Sequence, residues 1–373
     1  MTGIVSVAMT RTAAVPVDDR SSPALGDRAR IRVGIVGATG YVGGELIRLL
    51  ERHPRARIVA LHGRERDREP IASTHAHLGG TGHVIDARMP TDVDVIFLAL
   101  PHGTSSTLVP DLVSHGTTVM DMGPDFRLRD PADYPRWYGF EHPAPELLAS
   151  AVYGLPELHR AQLSGLAGRF PAIVGSPGCY PTATLLALAP LAHEGLIDDL
   201  VIDAKSGVSG AGREPKPDMT YSEVNESVKA YGIGGHRHVA EIEQELAGMD
   251  ATASARPVDF LPHLVPMTRG ILSACHVRPR REVTQAELDA LYRDAYADEP
   301  FVEVVGTPPS TKQVLGSNHC RVHVTADPRT GRVLVIGVID NLVKGAAGQG
   351  VQAMNLCFDL PEEAGLEQLP LAP

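Results

Sequence analysis

The chain has 373 residues, of which 43% are hydrophobic and 21% are charged, and its formal net charge at pH 7 is −11. This length favours two domains, each large enough to bury its own core. The negative charge argues against nucleic acid and against anionic membranes as partners, because both repel an acidic surface. No apolar stretch approaches the ~18 residues of a membrane-spanning helix.

The beginning of the chain predicts a loose tail and a cytoplasmic protein. Residues 1–28 mix Ala, Pro, Ser, Asp and Arg without periodicity, so we expect no packed structure there. They lack a basic stretch followed by an apolar one and therefore do not resemble an export signal. The four cysteines are widely scattered, which fits reduced thiols and fits neither a disulfide framework nor a zinc finger.

Residues 31–50, IRVGIVGATGYVGGELIRLL, predict a strand, a glycine-rich turn and an amphipathic helix. In this context a glycine pattern indicates a dinucleotide site. Gly37 and Gly40 would let the backbone approach a pyrophosphate, and Gly43 would let the helix pack closely on the strand. The first N–H groups of the helix would then face the phosphates. A plain strand–helix unit, whose glycines serve packing alone, is the alternative.

Charged residues after the second predicted strand, residues 57–61, favour NADP over NAD. NAD-selective sites usually place an acidic side chain at this strand end, where it holds the ribose 2′-hydroxyl. This chain instead carries Arg64 and Arg66 there, and an arginine can accept a 2′-phosphate. A solvated charged turn is the alternative. Further strands predicted at residues 93–100 and 118–121 continue the alternation typical of a parallel sheet.

The stretch VGSPGCYPTATLLALAPL places Cys179 where an apolar run turns into a helix. The partial positive charge of a helix N-terminus favours loss of the thiol proton, and the thiolate is the nucleophilic form. Cys179 is therefore the candidate nucleophile. A small apolar residue filling a gap beside a turn is the alternative.

The second half of the chain predicts short strands with turns typical of a mostly antiparallel sheet, and so an α+β domain. The loop KSGVSGAGREPK could cradle a phosphate or an oxyanion, with Ser206 and Gly207 as candidate cofactor contacts. A plain flexible loop explains it equally well. Asn341, at the end of the last predicted strand, could meet a bound ligand with its amide.

The segment GIGGHRHVAEIEQEL predicts a helix opened by His236 and His238. Either histidine could take the proton of Cys179 and return it later, because histidine titrates near neutrality. The pair also suggests zinc, but no convincing carboxylate or cysteine ligands accompany it, so we predict no metal. His75, further upstream, is interpreted as a surface-loop residue.

Eight motifs in chain order resemble one enzyme family. GATGYVGGEL, ALPHG, DFRL, YGLPEL, PGCYPT, SGVSGAGR, GHRH and NLVKGAAGQ are together similar to the N-acetyl-gamma-glutamyl-phosphate reductases of arginine biosynthesis, relatives of the aspartate-semialdehyde dehydrogenases. The resemblance runs from about Ile31 to Phe358. It implies an α/β fold, with a Rossmann-type NADP-binding domain and an α+β catalytic and dimerisation domain. It also implies NADPH-dependent reduction of N-acetyl-L-glutamyl 5-phosphate to the 5-semialdehyde through a cysteine thioester.

The resemblance assigns roles by position. Cys179 matches the nucleophile, and His236, the first histidine of GHRH, matches the acid/base. His238 is the competing choice and a candidate substrate contact. The residues that match the NADP-binding turn are Gly37, Thr39, Gly40, Tyr41 and Val42. The residues that resemble substrate or phosphate contacts are Arg127, Ser209 and Arg213.

The predicted organisation has four parts. Residues 1–28 form the tail, residues 29–178 the NADP-binding domain, and residues 179–339 the catalytic and oligomerisation domain. Residues 340–373 return to the NADP-binding domain. The expected partners are a small acyl-phosphate substrate and further copies of the chain, in a homodimer or homotetramer.

Other function classes explain less of the sequence. No tyrosine has a lysine four residues later, which argues against a short-chain dehydrogenase or sugar epimerase. A cysteine hydrolase leaves the glycine turn unexplained, and a nucleotide-sensing protein leaves Cys179 unexplained. Within the family, the alternative is an aminoadipyl-phosphate reductase of carrier-protein-dependent lysine biosynthesis. That enzyme should carry a basic face for its acidic carrier protein, and this chain, at −11, shows no obvious basic excess.

Overall fold

The computed structural model describes residues 30–63, 68–250 and 257–371, and two sheets organise the fold of these residues. We call residues 31–175, which contain the first sheet, the first lobe. Residues 179–339, which contain the second sheet, are the second lobe. Among the described residues, none of the helices has both the length and the apolar character to cross a membrane.

The first lobe alternates strands and helices along the chain. Its strands are β1 (Ile31–Val36), β2 (Ala56–His62), β3 (Glu69–Pro70), β4 (Val84–Asp86), β5 (Val95–Leu98), β6 (Thr118–Asp121), β7 (Ala151–Tyr153) and β8 (Ile173–Gly175). Its helices are α1 (Tyr41–Leu50), α2 (Ser105–Ser114), α3 (Asp133–Trp137), α4 (Pro145–Leu148) and α5 (Pro156–Ser164). The strand order is β3-β4-β2-β1-β5-β6-β8-β7. All neighbouring strands are parallel except β3 and β4, which confirms the predicted parallel sheet.

Strand β5 explains why the strands of the first sheet are continuous apolar stretches in the sequence. Val95 and Phe97 belong to one buried cluster, whereas Ile96 and Leu98 belong to another. Successive side chains of a strand point to opposite faces, so both faces of this sheet are covered. The observed strand is shorter than the predicted 93–100.

The second lobe begins with a buried helix and continues as a mixed sheet. Its helices are α6 (Cys179–His193), α7 (Tyr221–Val224), α8 (His238–Met249) and α9 (Gln285–Ala295). Its strands are β9 (Ile197–Ser206), β10 (Lys229–Ala230), β11 (Asp259–Leu264), β12 (Ile271–Pro279), β13 (Val302–Val304), β14 (Cys320–Asp327) and β15 (Arg332–Ile339). The strand order is β10-β11-β9-β12-β15-β14-β13, with parallel pairing only at β11–β9 and β13–β14 among the described strands.

Helix α6 lies at the centre of the second lobe. It packs against β12, β15 and α8, and nearly all of its residues are buried. A helix that is apolar on all sides must be covered on all sides, which is what its sequence demands. The start of α6, and so Cys179, is therefore fixed by the core of the lobe.

The chain finally returns to the first lobe. A π-helical turn at Val343–Ala347 leads into α10 (Gly348–Cys357), which packs against α1 and α5. Val351 and Met354 of α10 share a buried cluster with Val33 and Leu46. The π-helical turn therefore stands between the two sheets, next to α6.

Candidate active site

A cleft of about 330 Å³ runs between the glycine turn of the first lobe and the start of α6 in the second. Both lobes contribute to its wall. Gly40 to Gly43 line one end, and Gly178, Cys179 and His238 line the other. The structure thus brings the predicted dinucleotide turn and the predicted nucleophile to one cavity.

The glycine turn has the geometry that the sequence predicted. Gly37 has a φ of +86°, and a Cβ atom there would lie 2.2 Å from the carbonyl oxygen of Ala99. A Cβ atom on Gly43 would lie 2.3 Å from the carbonyl oxygen of Gly37. Both positions therefore require glycine, the first for its backbone conformation and both for the close approach of neighbouring backbone.

The N-terminus of α1 opens into the cleft. Gly40 is its N-cap, and no side chain of the described residues caps it by a hydrogen bond. Gly40, Tyr41 and Val42 all line the cleft. The first N–H groups of a helix have no partner within the helix, so this terminus is suited to bind phosphate oxygens.

Arg64 and Arg66 lie outside the described residues. The preference for NADP that rests on their charge stays a prediction.

His75 corrects one interpretation of the sequence. It is buried rather than at a loop surface, and its Nε2 atom lies 3.0 Å from the carbonyl oxygen of Ala38. Its ring covers Gly44 in α1, where a Cβ atom would lie 2.5 Å from the ring. His75 therefore supports the glycine turn from behind, a role that only the packing of α1 reveals.

Arg213, predicted as a substrate or phosphate contact, reaches across the cleft to the glycine turn. Its Nη2 atom donates to the carbonyl oxygen of Thr74 at 2.8 Å, and its Nη1 atom lies 3.5 Å from that of Thr39. Its guanidinium also lies over the ring of Tyr41, 6.0 Å from the ring centre. Arg213 lines the cleft, so it connects the second lobe to the phosphate-binding end.

Cys179 is the first residue of α6, with Gly178 as N-cap, as predicted. It is partly exposed and lines the cleft. The expected ease of proton loss is not found. Burial raises the pKa of Cys179 to about 11, although Arg127 and the backbone N–H groups at the helix start act to lower it. Desolvation of the thiolate is the largest of these effects and favours the neutral thiol.

The two histidines, His236 as the predicted acid/base and His238 as the competing choice, occupy different environments. His238 begins α8, is 9% exposed and lines the cleft with Cys179. Its ring lies against Gly178, where a Cβ atom would lie 2.5 Å from Nε2. His236 is not among the described residues that line the cleft. It precedes the helix, and its ring packs among Tyr180, Tyr231 and Phe260.

The protonation of His238 suits a proton acceptor. Burial lowers the pKa of His238 well below its usual value, with help from the nearby charges of His236 and Arg127. Its Nδ1 atom is buried and has no hydrogen-bond partner among the described residues. A neutral imidazole that lines the same cleft as the thiol can accept the thiol proton as the thiol reacts.

Arg127, predicted as a substrate or phosphate contact, donates hydrogen bonds to three groups of the protein itself. Its Nε atom donates to the carbonyl oxygen of Ser176 at 2.6 Å, and its Nη2 atom to that of Met122 at 3.1 Å. Its Nη1 atom donates to Glu241 at 3.1 Å. Three of its five N–H groups are therefore used, although the guanidinium still lines the cleft.

Of the three glycine and serine residues predicted as contacts in the Gly/Ser loop, Ser209 lines the cleft and the other two do not. Ser206 and Gly207 are not among the described residues of the cleft wall, whereas Ser209 and Gly210 are. Gly207 N donates to the carbonyl oxygen of Gly270, which holds the start of the loop against the sheet.

Asn341 lines the cleft, but its amide holds the loops together. Its Oδ1 atom accepts a hydrogen bond from Gly270 N at 2.7 Å, and its Nδ2 atom donates to the Ser209 hydroxyl at 2.9 Å. The predicted ligand contact is therefore limited to the remaining N–H of its amide and to its backbone.

Arginine residues give the cleft a charge opposite to that of the whole chain. Arg127, Arg213 and Arg237 line it, and no carboxylate is among its described lining residues. Arg237, which sequence reasoning missed, lies between the two histidines, with its Nη1 atom 3.2 Å from Nδ1 of His102. Its position within GHRH is the signal that could have found it. This local positive charge suits an anionic substrate.

Two family models match this architecture. The semialdehyde dehydrogenase NAD-binding domain matches residues 32–166, and the semialdehyde dehydrogenase dimerisation domain matches residues 179–341. Residues 167–178, which include β8, lie between the two matches, and the second match begins at the first residue of α6.

Curated relatives match over nearly the whole chain. A protein of Heliobacterium modesticaldum named N-acetyl-gamma-glutamyl-phosphate reductase is 50% identical, over 92% of this chain and 100% of its own. A protein of the same name from Symbiobacterium thermophilum is 49% identical, over 90% of this chain and 97% of its own.

Solved structures share the fold. Aspartate semialdehyde dehydrogenase with NADP from Candida albicans superposes with a TM-score of 0.67 at 17% identity, covering 90% of this chain and 99% of its own. A probable aspartate-semialdehyde dehydrogenase from Pseudomonas aeruginosa gives a TM-score of 0.67 at 20% identity, covering 88% and 98%. These similarities confirm the predicted fold class.

Proposed function

Because the chain belongs to the N-acetyl-gamma-glutamyl-phosphate reductase family, we propose that it reduces N-acetyl-L-glutamyl 5-phosphate to the 5-semialdehyde with NADPH, and that Cys179 carries the acyl group. The observation that carries this proposal is the single cleft that Cys179 shares with the glycine turn. A nucleophile and a dinucleotide site in one cavity are what reduction of an acyl phosphate requires. The relatives' names do not favour the aminoadipyl-phosphate alternative.

The residues around α1 fit a bound dinucleotide. Tyr41 and Val42 offer backbone N–H groups to the pyrophosphate, since no side chain of the described residues caps this helix, whereas the N–H of Gly40 donates to the Gly37 carbonyl inside the turn. Gly37 and Gly43 keep Cβ atoms out of the turn, and Arg213 closes over it from the second lobe. When bound, NADPH supplies a hydride.

The chemistry begins at the thiol. Cys179 attacks the acyl carbon, so a C–S bond forms, the bond to the phosphate oxygen breaks, and phosphate leaves with the bonding electrons. Cys179 would hold the thioester carbon in the cleft for the hydride that bound NADPH supplies. Expulsion of the thiolate releases the aldehyde. The backbone N–H groups at the start of α6 stabilise the oxyanion in both steps.

His238, rather than His236, moves the proton in this scheme. It accepts the thiol proton as Cys179 attacks and returns it when the thiolate leaves. Burial lowers the pKa of His238 and raises the pKa of Cys179, and both shifts favour the neutral form. Arg127, Arg213 and Arg237 attract the anionic acyl phosphate, and Ser209 adds a hydroxyl to the same wall.

Assembly and location belong to the same proposal. The match to a dimerisation domain supports a homodimer or homotetramer built through the second lobe. The four cysteines are free, which fits the reducing cytoplasm. Residues 29–178 and 340–373 act as the NADP-binding domain in this scheme, and residues 179–339 as the catalytic domain.

An assay in the oxidative direction tests the proposed function. Purified protein should reduce NADP⁺ with N-acetylglutamate semialdehyde only when inorganic phosphate is present, because phosphate must cleave the thioester. The semialdehyde that is one carbon longer should be a poor substrate. Equal or better turnover of the longer compound would favour the aminoadipyl alternative, and turnover without phosphate would contradict the acyl-phosphate reaction.

A further inference from the structure

A buried carboxylate stands behind the catalytic pair and contacts neither the cleft nor solvent. Glu241 lies in the first turn of α8, three residues after His238, and its exposed fraction is 0%. It is not among the described residues that line the cleft. A charge in such a position must be paired or hydrogen-bonded, since burying it alone is costly.

The partners of Glu241 lead to the nucleophile. Its Oε2 atom accepts hydrogen bonds from the peptide N–H of Gly178 at 2.9 Å and from the Tyr153 hydroxyl at 3.0 Å. Its Oε1 atom accepts from Arg127 at 3.1 Å and lies 4.0 Å from Nε2 of His238. Gly178 is the N-cap of α6 and the residue before Cys179. One carboxylate therefore ties the Pro177–Gly178 peptide, which leads into Cys179, to the helix that carries the histidine.

The packing leaves this arrangement little freedom. The His238 ring lies against Gly178, and on the other side the Gly178 carbonyl accepts from the backbone N–H and the hydroxyl of Thr182. If the bond from the Gly178 N–H to Glu241 were lost, the Pro177–Gly178 peptide could rotate while α8 stayed in place. The distance from thiol to imidazole would then vary.

Glu241 also affects the thiol through its charge. The carboxylate acts to raise the pKa of Cys179, whereas the Arg127 guanidinium acts to lower it. The charge of Glu241 thus lowers the fraction of Cys179 that is thiolate. Its hydrogen bonds, in contrast, fix the position from which His238 can remove the thiol proton during attack. The hydrogen bonds of Glu241 should speed turnover, whereas its negative charge should slow it by raising the pKa of Cys179. Experiments can therefore separate the two effects.

We propose that Glu241 is a positioning residue, which holds the Gly178 peptide so that Cys179 faces His238. This inference rests on the proposed function, because it concerns the same thiol and histidine. It adds a residue that contacts neither substrate nor cofactor.

The test uses full-length protein and two readouts, steady-state turnover and the pH dependence of Cys179 alkylation by iodoacetamide. In Glu241→Gln, one amide N–H must face a donor, so the geometry loosens and kcat should fall on the order of 10²-fold. KM for NADPH should stay the same, since the glycine turn is at the other end of the cleft. The alkylation midpoint should move to lower pH, because a negative charge near the thiolate is gone. A merely destabilised protein would not combine a more acidic thiol with slower turnover.

Two further variants separate position from charge. Glu241→Asp keeps the charge but withdraws the carboxylate by one methylene, so kcat should fall without a downward shift of the alkylation midpoint. Glu245→Gln is the matched control, because Glu245 is a buried carboxylate on the same helix that pairs with His159 and Arg129 instead. It should lower stability but leave kcat and the midpoint unchanged.

The outcomes distinguish this inference from the proposed function. If the parent enzyme is inactive as a reductase, the proposed function fails. If the parent is active and Glu241→Gln and Glu241→Asp both match it in kcat, Glu241 does not position the pair. Equal losses in Glu241→Gln and Glu245→Gln would likewise overturn the inference, since they would show a general effect of charge burial in α8.

Discussion

The two ends of the cleft differ in the groups that form them, which are backbone groups at one end and side chains at the other. At the glycine turn, the site consists of backbone: a positive φ at Gly37, a helix start at Gly40, and close contacts that exclude Cβ atoms. At the thiol, the site consists of buried side chains, with Arg127 and Glu241 holding the start of α6. The first end binds through N–H groups that the fold exposes, and the second reacts through charges that the fold encloses.

This difference decides how each end should respond to change. A backbone site fails when a side chain is added, and the failure should stay local to cofactor binding. A site of buried side chains fails when a group is removed or misplaced, and the failure should appear in the chemical step. The predictions below test that division.

The largest effect should follow from Cys179→Ser. A serine hydroxyl is a far weaker nucleophile at neutral pH, so turnover should fall by at least roughly 10⁴-fold, in line with the loss of other catalytic nucleophiles. NADPH binding, followed by fluorescence titration, should persist because the glycine turn is untouched. Turnover within about tenfold of the parent would end the thioester scheme.

His238→Asn should have the next largest effect. Loss of a general acid–base group lowers turnover by roughly 10²–10⁴-fold, and steady-state kinetics at constant pH measure this directly. His236→Asn, two residues earlier, is the control and should cost much less, because that ring packs outside the cleft. A greater loss at His236 would restore the sequence-based assignment. Small and equal losses would leave Cys179 without a histidine partner.

A smaller and confined effect should follow from Gly37→Ala. The new Cβ atom meets the Ala99 carbonyl, so the turn must shift and KM for NADPH should rise about tenfold, the equivalent of 1–2 kcal/mol of backbone strain. Alkylation of Cys179 should be unchanged. Gly116→Ala provides the matched control, since Gly116 has a φ of +84° and open space around it. If both variants affect KM alike, the effect is general strain and the turn has no special role.

Sequence reasoning succeeded where the site is local in the chain. The glycine turn falls within seven residues, Gly37 to Gly43, and its strand and helix neighbours are adjacent in sequence. Cys179 at a helix start was readable for the same reason, since apolar spacing and Pro181 mark that helix. The family motifs then supplied the fold and the reaction.

Other features of the site depend on packing and cannot be predicted from the sequence alone. The choice between His236 and His238 turns on where α8 begins, and helix ends are the least certain feature of a sequence. The high pKa of Cys179 reflects burial, which no local pattern shows. Glu241 was missed because its partners, Arg127, Tyr153 and Gly178, are distant in the chain.

The central claim is that Cys179 carries the acyl group, and trapping that group tests it most directly. Enzyme incubated with N-acetylglutamyl 5-phosphate but without NADPH should gain the mass of one N-acetylglutamyl group on the peptide that contains Cys179, and Cys179→Ser should gain none. Addition of NADPH should remove the group as semialdehyde. An active enzyme that never carries this mass, or that carries it on another residue, would contradict the account.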